Sequence, residues 1–420
     1  MSILQQNYGV SPKLEELGEK IEAECAASFA RIEKIQQENQ LWVLDCFRKE
    51  EIAPAHFAAS YGYGYDDLGR DKLEKLFARI FKAEAAIVRP AIASGTHALA
   101  LGLQGLTKRG TKILSASGAP YDTLEGIIGH KEFVEGSLCD MGAEYEELPL
   151  KDKHIDFDAL TEKAKGKDLI MLQRSRGYQD RPSLLIKDIE KACKIIRSVN
   201  DAAIIFVDNC YGEFVEDREP LEAGADVIVG SLIKNAGGGI APTGAYIAGK
   251  RDLIERISFR MTAPGIGGEV GSYAAGYLPF YLGIFLAPQT VAQALKGAVF
   301  SARILQEFSY SPSPKFDEER GCIIQSVCMH QREKLIQLCQ WIQRVSPVDS
   351  FALPEPWAMP GYTDEVIMAA GTFVQGASIE FSGDAPMREP YMFYMQGGIV
   401  YHQVKAAMLC EIQDMNGEEL

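Results

Sequence analysis

Lys234 follows a largely apolar run, Ala225-Asp226-Val227-Ile228-Val229-Gly230-Ser231-Leu232-Ile233, and precedes Asn235-Ala236-Gly237-Gly238-Gly239. Lysine normally keeps its ammonium in water, so an amine between a buried strand and a glycine hinge calls for a chemical reason. A second apolar run, Ala203-Ile204-Ile205-Phe206-Val207, ends in Asp208-Asn209-Cys210-Tyr211. An acid and an amine therefore close two successive strands, the edge at which open α/β sheets place ligands. Pyridoxal phosphate uses such a pair, with a lysine Schiff base and a carboxylate on the pyridine nitrogen.

On this reading Lys234 holds the cofactor and, once displaced, serves as a general base. Its plain alternative is a lysine snorkelling from a strand end. Asp208 keeps the ring nitrogen protonated, so that a carbanion at the substrate Cα is stabilised; its plain alternative is a helix cap. Ser94-Gly95-Thr96-His97 opens the helical run Ala98-Leu99-Ala100-Leu101. A helix start with small residues offers N–H groups and positive dipole to a phosphate, although the same tripeptide serves as an ordinary N-cap. Ser231 is a second phosphate candidate. Tyr121, in Gly118-Ala119-Pro120-Tyr121-Asp122-Thr123, is placed to stack on the ring and relay a proton, or is a turn tyrosine. Arg388 offers a planar fork for an amino-acid carboxylate; the alternative is an ion pair with Glu389 or Asp384. Tyr65 and Arg70, and the group Gln173-Arg174-Ser175-Arg176, are further polar candidates for the phosphate.

The elements that must position these groups alternate. Strands are predicted over Ala85 to Val88, Lys112 to Ala116, Asp168 to Gln173, Ala203 to Val207, Asp226 to Val229 and Gly244 to Ala248, with helical stretches between most of them. That alternation predicts a largely parallel sheet in an α/β domain. An amphipathic helix is predicted over residues 11–38, with Ser11 as cap and Pro12 in the first turn. Tyr61 to Arg70 is too glycine-rich for regular structure. From about residue 290 the pattern becomes a mixed α+β domain. The expected division is a helical arm over 1–50, a large domain over 51–289 and a smaller C-terminal domain over 290–420.

The chain has 420 residues, 47% hydrophobic and 24% charged, with a net charge of −15, a composition typical of globular proteins. The acidic balance argues against nucleic acid as a partner. No apolar stretch reaches the roughly 18 residues that a membrane span needs, and no leader-like segment opens the chain. Nine cysteines, unevenly spaced, fit reduced thiols in a cytoplasmic protein rather than a disulfide frame or a zinc site. No metal is expected, and no nucleotide-binding G-x-G-x-x-G or P-loop signature occurs.

The chain resembles fold-type I pyridoxal-phosphate enzymes of the cystathionine and methionine lyase superfamily. It is most similar to the methionine gamma-lyase-like proteins known as aluminium-resistance proteins. The segments that carry the resemblance are Tyr61 to Asp66, Gln173 to Tyr178, Val207 to Phe214, Gly230 to Gly239 and Pro386 to Tyr391. It implies a homodimer or homotetramer with shared active sites, Lys234 as the cofactor lysine, and an amino-acid substrate. The transsulfuration lyases carry a closer Tyr-x-Arg pair than Tyr65 and Arg70, and a hydroxyl residue where Ile233 stands. The expected reaction is carbon–sulfur cleavage in a sulfur-containing amino acid, of the methionine gamma-lyase or cystathionine beta-lyase type, through a quinonoid carbanion. Two alternatives use the same Lys234 and Asp208: transamination, racemisation or decarboxylation, and cofactor binding without turnover.

Overall fold

The computed structural model describes residues 1–415 and divides into two compact units, Glu38–Ala287 and Met1–Gln37 with Pro288 onward. In the first unit seven strands form one sheet: β1 (Ala85–Arg89), β2 (Lys112–Ser115), β3 (Glu144–Glu147), β4 (Leu169–Gln173), β5 (Ile204–Asp208), β6 (Val227–Ser231) and β7 (Ala245–Gly249). Their spatial order is β1-β7-β6-β5-β4-β2-β3. Neighbours from β6 through β3 run parallel, and β7 runs antiparallel to both β6 and β1. Parallel neighbours need a crossover element, usually a helix, whereas a direct return makes an antiparallel pair. The helix Ile186–Val199 precedes β5, but only a short 3-10 turn, Asn235–Gly237, separates β6 from β7.

All six predicted strands form, with ends shifted by a residue or two. β3 is a further strand, outside the six expected. Its residues, Glu-Tyr-Glu-Glu, read as polar, yet it lies at the sheet edge beside β2. Charged side chains are a common means of keeping an edge strand from pairing further. The middle strands are buried throughout. The helix Gly95–Leu106 packs its apolar face, Ala98, Leu99, Leu101, Leu103 and Leu106, into the cluster formed with Phe206, Val227, Val229 and Ile247.

In the second unit an antiparallel sheet runs β10-β11-β12-β9-β8, built from β8 (Pro312–Ser313), β9 (Gln325–Cys328), β10 (Val366–Ala369), β11 (Ser382–Pro386) and β12 (Met392–Gln396). Helix Arg332–Arg344 packs on β10 and β11. The predicted N-terminal helix is two helices, Pro12–Glu24 and Ala26–Lys49, separated at Cys25. Ser11 caps the first as expected, its Oγ accepting from the Leu14 N–H at 3.2 Å. Gly18 on that helix faces Leu409, and Arg303 joins Glu24 at 2.6 Å and Glu307 at 2.9 Å. The first 37 residues thus pack with the C-terminal part of the chain.

The expectation about apolar stretches needs one correction. Helix Leu278–Glu307 is long and apolar enough to cross a membrane by length and composition, because Lys296 and Arg303 fall near its far end. Of its most apolar window 61% is buried inside the protein, as in a core helix.

One buried acid makes the second unit sensitive to pH. Glu411, in helix Tyr401–Met415, is 1% exposed, and neither carboxyl oxygen has a hydrogen-bond partner among the described residues. Burial pushes its pKa up to about 8. The folded protein therefore holds Glu411 neutral while the unfolded chain ionises it above the ordinary carboxylate range. This disfavours folding progressively as pH rises through that interval, levelling off above about 8. Glu411→Gln should leave stability nearly unchanged at about pH 4.5 and raise it by on the order of a few kcal/mol at about pH 8.5. Urea midpoints at the two pH values test this; an equal gain at both would refute it.

Candidate functional site

The carboxyl ends of β4, β5 and β6 bring the expected residues to one edge. Asp208 ends β5, between Gln173 on β4 and Val229 on β6 in register. Ser231 ends β6, opposite Ala245, and Lys234 follows. The Lys234 N–H donates to the Ser231 carbonyl at 3.4 Å. On the other side, Gly237 packs so tightly against the Leu232 carbonyl that a Cβ there would collide with it. The Gly237 N–H donates to the Lys234 carbonyl at 3.2 Å, and Gly238 is left-handed at φ +59°. A side chain at either glycine would force this turn open, so the glycine run fixes the backbone of Lys234 in place.

The Lys234 Nζ lies 4.1 Å from the centroid of the Tyr211 ring, a cation–π contact. Tyr211 has φ +70°, a conformation a non-glycine residue adopts only when its surroundings enforce it. Burial works against charge on Lys234, but the field of Cys210, Tyr211, Asp208 and Glu213 outweighs it and holds the amine above the ordinary lysine range. Cys210, Tyr211 and Glu213 add to that field only when ionised, and burial keeps the Cys210 thiol well above its usual range and pushes Glu213 up to about 8. At neutral pH, Asp208 is therefore the main counter-charge. Asp208 is itself buried, which raises its pKa, while Lys234, the Cys210 N–H at 3.0 Å and Arg181 favour its anion.

Gly95 joins the phosphate candidates to the amine. A Cβ on Gly95 would lie 3.4 Å from Cys210 Sγ, 3.4 Å from Ser231 Cβ and 4.0 Å from Lys234 Nζ. The first turn of helix Gly95–Leu106 thus closely approaches Ser231 and Lys234. Ser94 caps this helix, its Oγ accepting from the His97 N–H at 3.0 Å. The Thr96 and Thr123 hydroxyls are 3.0 Å apart, tying the helix start to the segment after Tyr121. A hydroxyl, a helix N-terminus and an amine thus meet around a glycine, a cradle with the donor chemistry that a phosphate and an aldehyde require.

The other candidates are placed differently. Tyr121 packs on Tyr178, ring centroids 5.5 Å apart, and against Gly177. Its loop is held to the loop after β4 by Gln179, which donates to the Ala119 carbonyl at 2.6 Å. Tyr65 is exposed beside Tyr63. Arg70 is buried, with its guanidinium on the Gly64 carbonyl at 2.6 Å, the Gly271 carbonyl at 3.2 Å and the Asp71 carboxylate at 2.7 Å. It holds the glycine-rich segment in shape. Arg174 is fully buried and serves Glu216 at 3.0 Å, Glu219 at 3.2 Å and Asn209 at 2.9 Å. Its charge is already matched by those carboxylates. Arg388 belongs to the second unit, where it pairs with Asp364 at 2.7 Å. The sequence reading gave no role to Tyr211, Cys210, Arg181 or Glu213. Three of these four follow directly on Asp208-Asn209, so their place after a strand-ending acid was the available signal.

The model of the methionine gamma-lyase family matches residues 14–416. The chain belongs to that family. Membership implies pyridoxal phosphate as the cofactor, and the cradle at Gly95 fits it. An uncharacterised protein of Bacillus subtilis, YnbB, is 47% identical over 404 residues, 96% of each chain. The structure of a carbon–sulfur lyase involved in aluminium resistance from Clostridium novyi superposes with a TM-score of 0.94 at 44% identity, covering 98% of each chain. The fold extends to distant relatives. The pyridoxal-5'-phosphate-dependent protein YhfS of Escherichia coli superposes with a TM-score of 0.61 at 20% identity, over 91% of this chain and 97% of its own. The architecture is that of the fold-type I enzymes.

Gly95→Ala separates cradle from scaffold. The added methyl meets its neighbours at ordinary contact distances, and alanine favours a helix. The variant should melt within a few degrees of the wild type. Its affinity for pyridoxal phosphate should fall by roughly tenfold or more, because the methyl occupies the space beside Ser231 and Lys234. Cofactor titration followed by absorbance measures this; undiminished affinity would place the phosphate elsewhere.

Proposed function

We propose that the protein is a pyridoxal-phosphate-dependent carbon–sulfur lyase acting on a sulfur-containing amino acid, of the methionine gamma-lyase or cystathionine beta-lyase type. The observation that carries this reading is the approach of Gly95 to Ser231 and Lys234, on the strand edge where Asp208 also ends. The Gly95 and Thr96 backbone and Ser231 would hold the phosphate, Asp208 the ring nitrogen and Lys234 the aldehyde carbon. When bound, pyridoxal phosphate supplies an electron sink that stabilises negative charge at the substrate Cα.

The chain's own residues supply the rest. Lys234, once its amine is free, takes the proton from the substrate Cα; its fixed backbone keeps that amine at one place on the edge. Its neutral form is needed for this step, and Asp208 must stay anionic to keep the ring nitrogen charged, so both the acid and the amine have to be deprotonated at neutral pH in the working enzyme. A thiolate on Cβ can then leave directly, whereas one on Cγ requires a further proton to be taken from Cβ. Tyr121 is the residue proposed to give a proton to the departing sulfur. Arg388 is the proposed partner of the substrate carboxylate, exchanging Asp364 for it. The aromatic surface of Tyr61, Tyr63 and Tyr65, exposed in one copy, supports the proposal that a second copy covers it in a homo-oligomer.

Purified protein should be coloured by bound cofactor, and Lys234→Ala should lose the lysine-linked absorbance. Cystathionine, cysteine and methionine should be tested for release of a 2-oxo acid together with a thiol. Cofactor-loaded protein that releases neither product from any of the three would rule out the lyase reading. Arg388→Gln should raise KM by roughly tenfold or more with a smaller change in kcat, as expected for a group that binds the substrate's unreacting end.

A further inference from the structure

Beneath the strand that leads to Lys234 lies an acid that the mechanism above does not use. Glu213 is completely buried. Its Oε1 accepts from the Tyr246 hydroxyl at 2.9 Å, while its Oε2 has no hydrogen-bond partner among the described residues. Glu213 Oε1 and the Tyr246 hydroxyl both press on Gly230 of β6, where a Cβ would collide with them. The Glu213 carbonyl accepts from Asn235 Nδ2 at 3.0 Å, next in sequence to Lys234.

The charges around Glu213 are already assigned. From the end of β4, Arg174 reaches Glu216 and Glu219, both within 3.2 Å, and from β7 comes only the neutral Tyr246. Asn209 spans Arg174, Glu219 and Tyr246 with hydrogen bonds of 2.9, 3.0 and 3.3 Å. Phe81 stacks on Tyr246 from the other side, with centroids 4.9 Å apart, and brings no charge. On its own segment Glu213 has Cys210, whose thiol burial keeps well above its usual range, and the ring of Tyr211. The remaining cation is Lys234, and Asp208 is the acid at its own strand edge. A charged Glu213 would be a further buried anion with no cation of its own, which is strongly unfavourable.

We propose that Glu213 is a positioning residue for Lys234: it is kept as the neutral carboxylic acid at neutral pH, and it becomes a second counter-charge to the amine only in alkaline solution. This rests on the reading of Lys234 as the reactive amine. In the neutral state the acid props β6 through Gly230 without adding to the field that holds a proton on Lys234. Once Glu213 gives its proton to solvent, the new carboxylate makes the Lys234 ammonium harder to deprotonate. Burial supports this assignment, pushing Glu213 up to about 8 against the opposing hydrogen bond of Tyr246 and the field of Arg174.

Two measurements on the full chain test the proposal. Infrared difference spectra between the wild type and Glu213→Gln at pH 7 should contain the carbonyl band of a protonated carboxyl group, fading as the pH passes about 8. The difference removes the contributions of other buried acids such as Glu411. Competitive acetylation of Lys234 by acetic anhydride, on chain freed of cofactor and read by mass spectrometry, should be roughly tenfold faster at about pH 9 in Glu213→Gln than in the wild type, since a nearby charge shifts such a group by about one pH unit or more. A missing carbonyl band, or equal acetylation rates, would overturn the proposal. If Glu213→Gln does not fold, Tyr246→Phe decides. Loss of the donated hydrogen bond must leave the band present and move its disappearance to higher pH, and an unmoved or lowered midpoint counts against the proposal. Both readouts are independent of turnover. A protein that cleaves no sulfur amino acid but shows the band and the acetylation change would lose the lyase reading and keep this one.

Discussion

The site is governed by the charge balance around one amine at a sheet edge. An ammonium removed from water is costly unless anions or ring faces replace the lost hydration. Asp208 and the face of Tyr211 supply that replacement, and both come from the same strand end. The remaining buried charges are arranged so as not to interfere. Arg174 is matched by Glu216 and Glu219, and Arg181 is bound to carbonyls of its own loop while its field favours the Asp208 anion. The charge on Lys234 therefore depends on Asp208 and Tyr211 and on the matching of the other buried charges around them.

The same arrangement constrains the main chain. Gly212 lies so close to the Arg174 side chain that any Cβ would displace the guanidinium, and Gly230 is equally close to Glu213 and Tyr246. These glycines are positions where a buried polar side chain crosses the backbone, so that small residues and large charged ones are used together. Substituting any of them acts on the charge balance first and on the turn second.

Much of this was legible in the sequence. Apolar runs ending in Asp208 and Lys234 located both the strands and the edge, because strand burial and ligand placement leave the same pattern of an apolar stretch followed by a polar stop. Ser94-Gly95-Thr96 was legible as a helix start for the same reason. What the sequence did not disclose was which cations were already committed. Arg70 and Arg174 look like free anion binders, yet their guanidinium groups are used by carbonyls and carboxylates that only folding brings near. The edge strand Glu144–Glu147 escaped notice because its alternation is masked by protective charge. The break at Cys25 escaped because the residues on both sides favour helix equally.

The direct return from β6 to β7 has a mechanical consequence. With no crossover helix between them, the stretch bearing Lys234 is pinned at one end by the sheet ladder and at the other by the contact of Gly237 with Leu232. A hinge or lid cannot easily operate there. Any travel of the amine between two reacting atoms must come from rotation about the bonds of its own aliphatic stem, a movement of a few ångströms on the timescale of rotamer exchange.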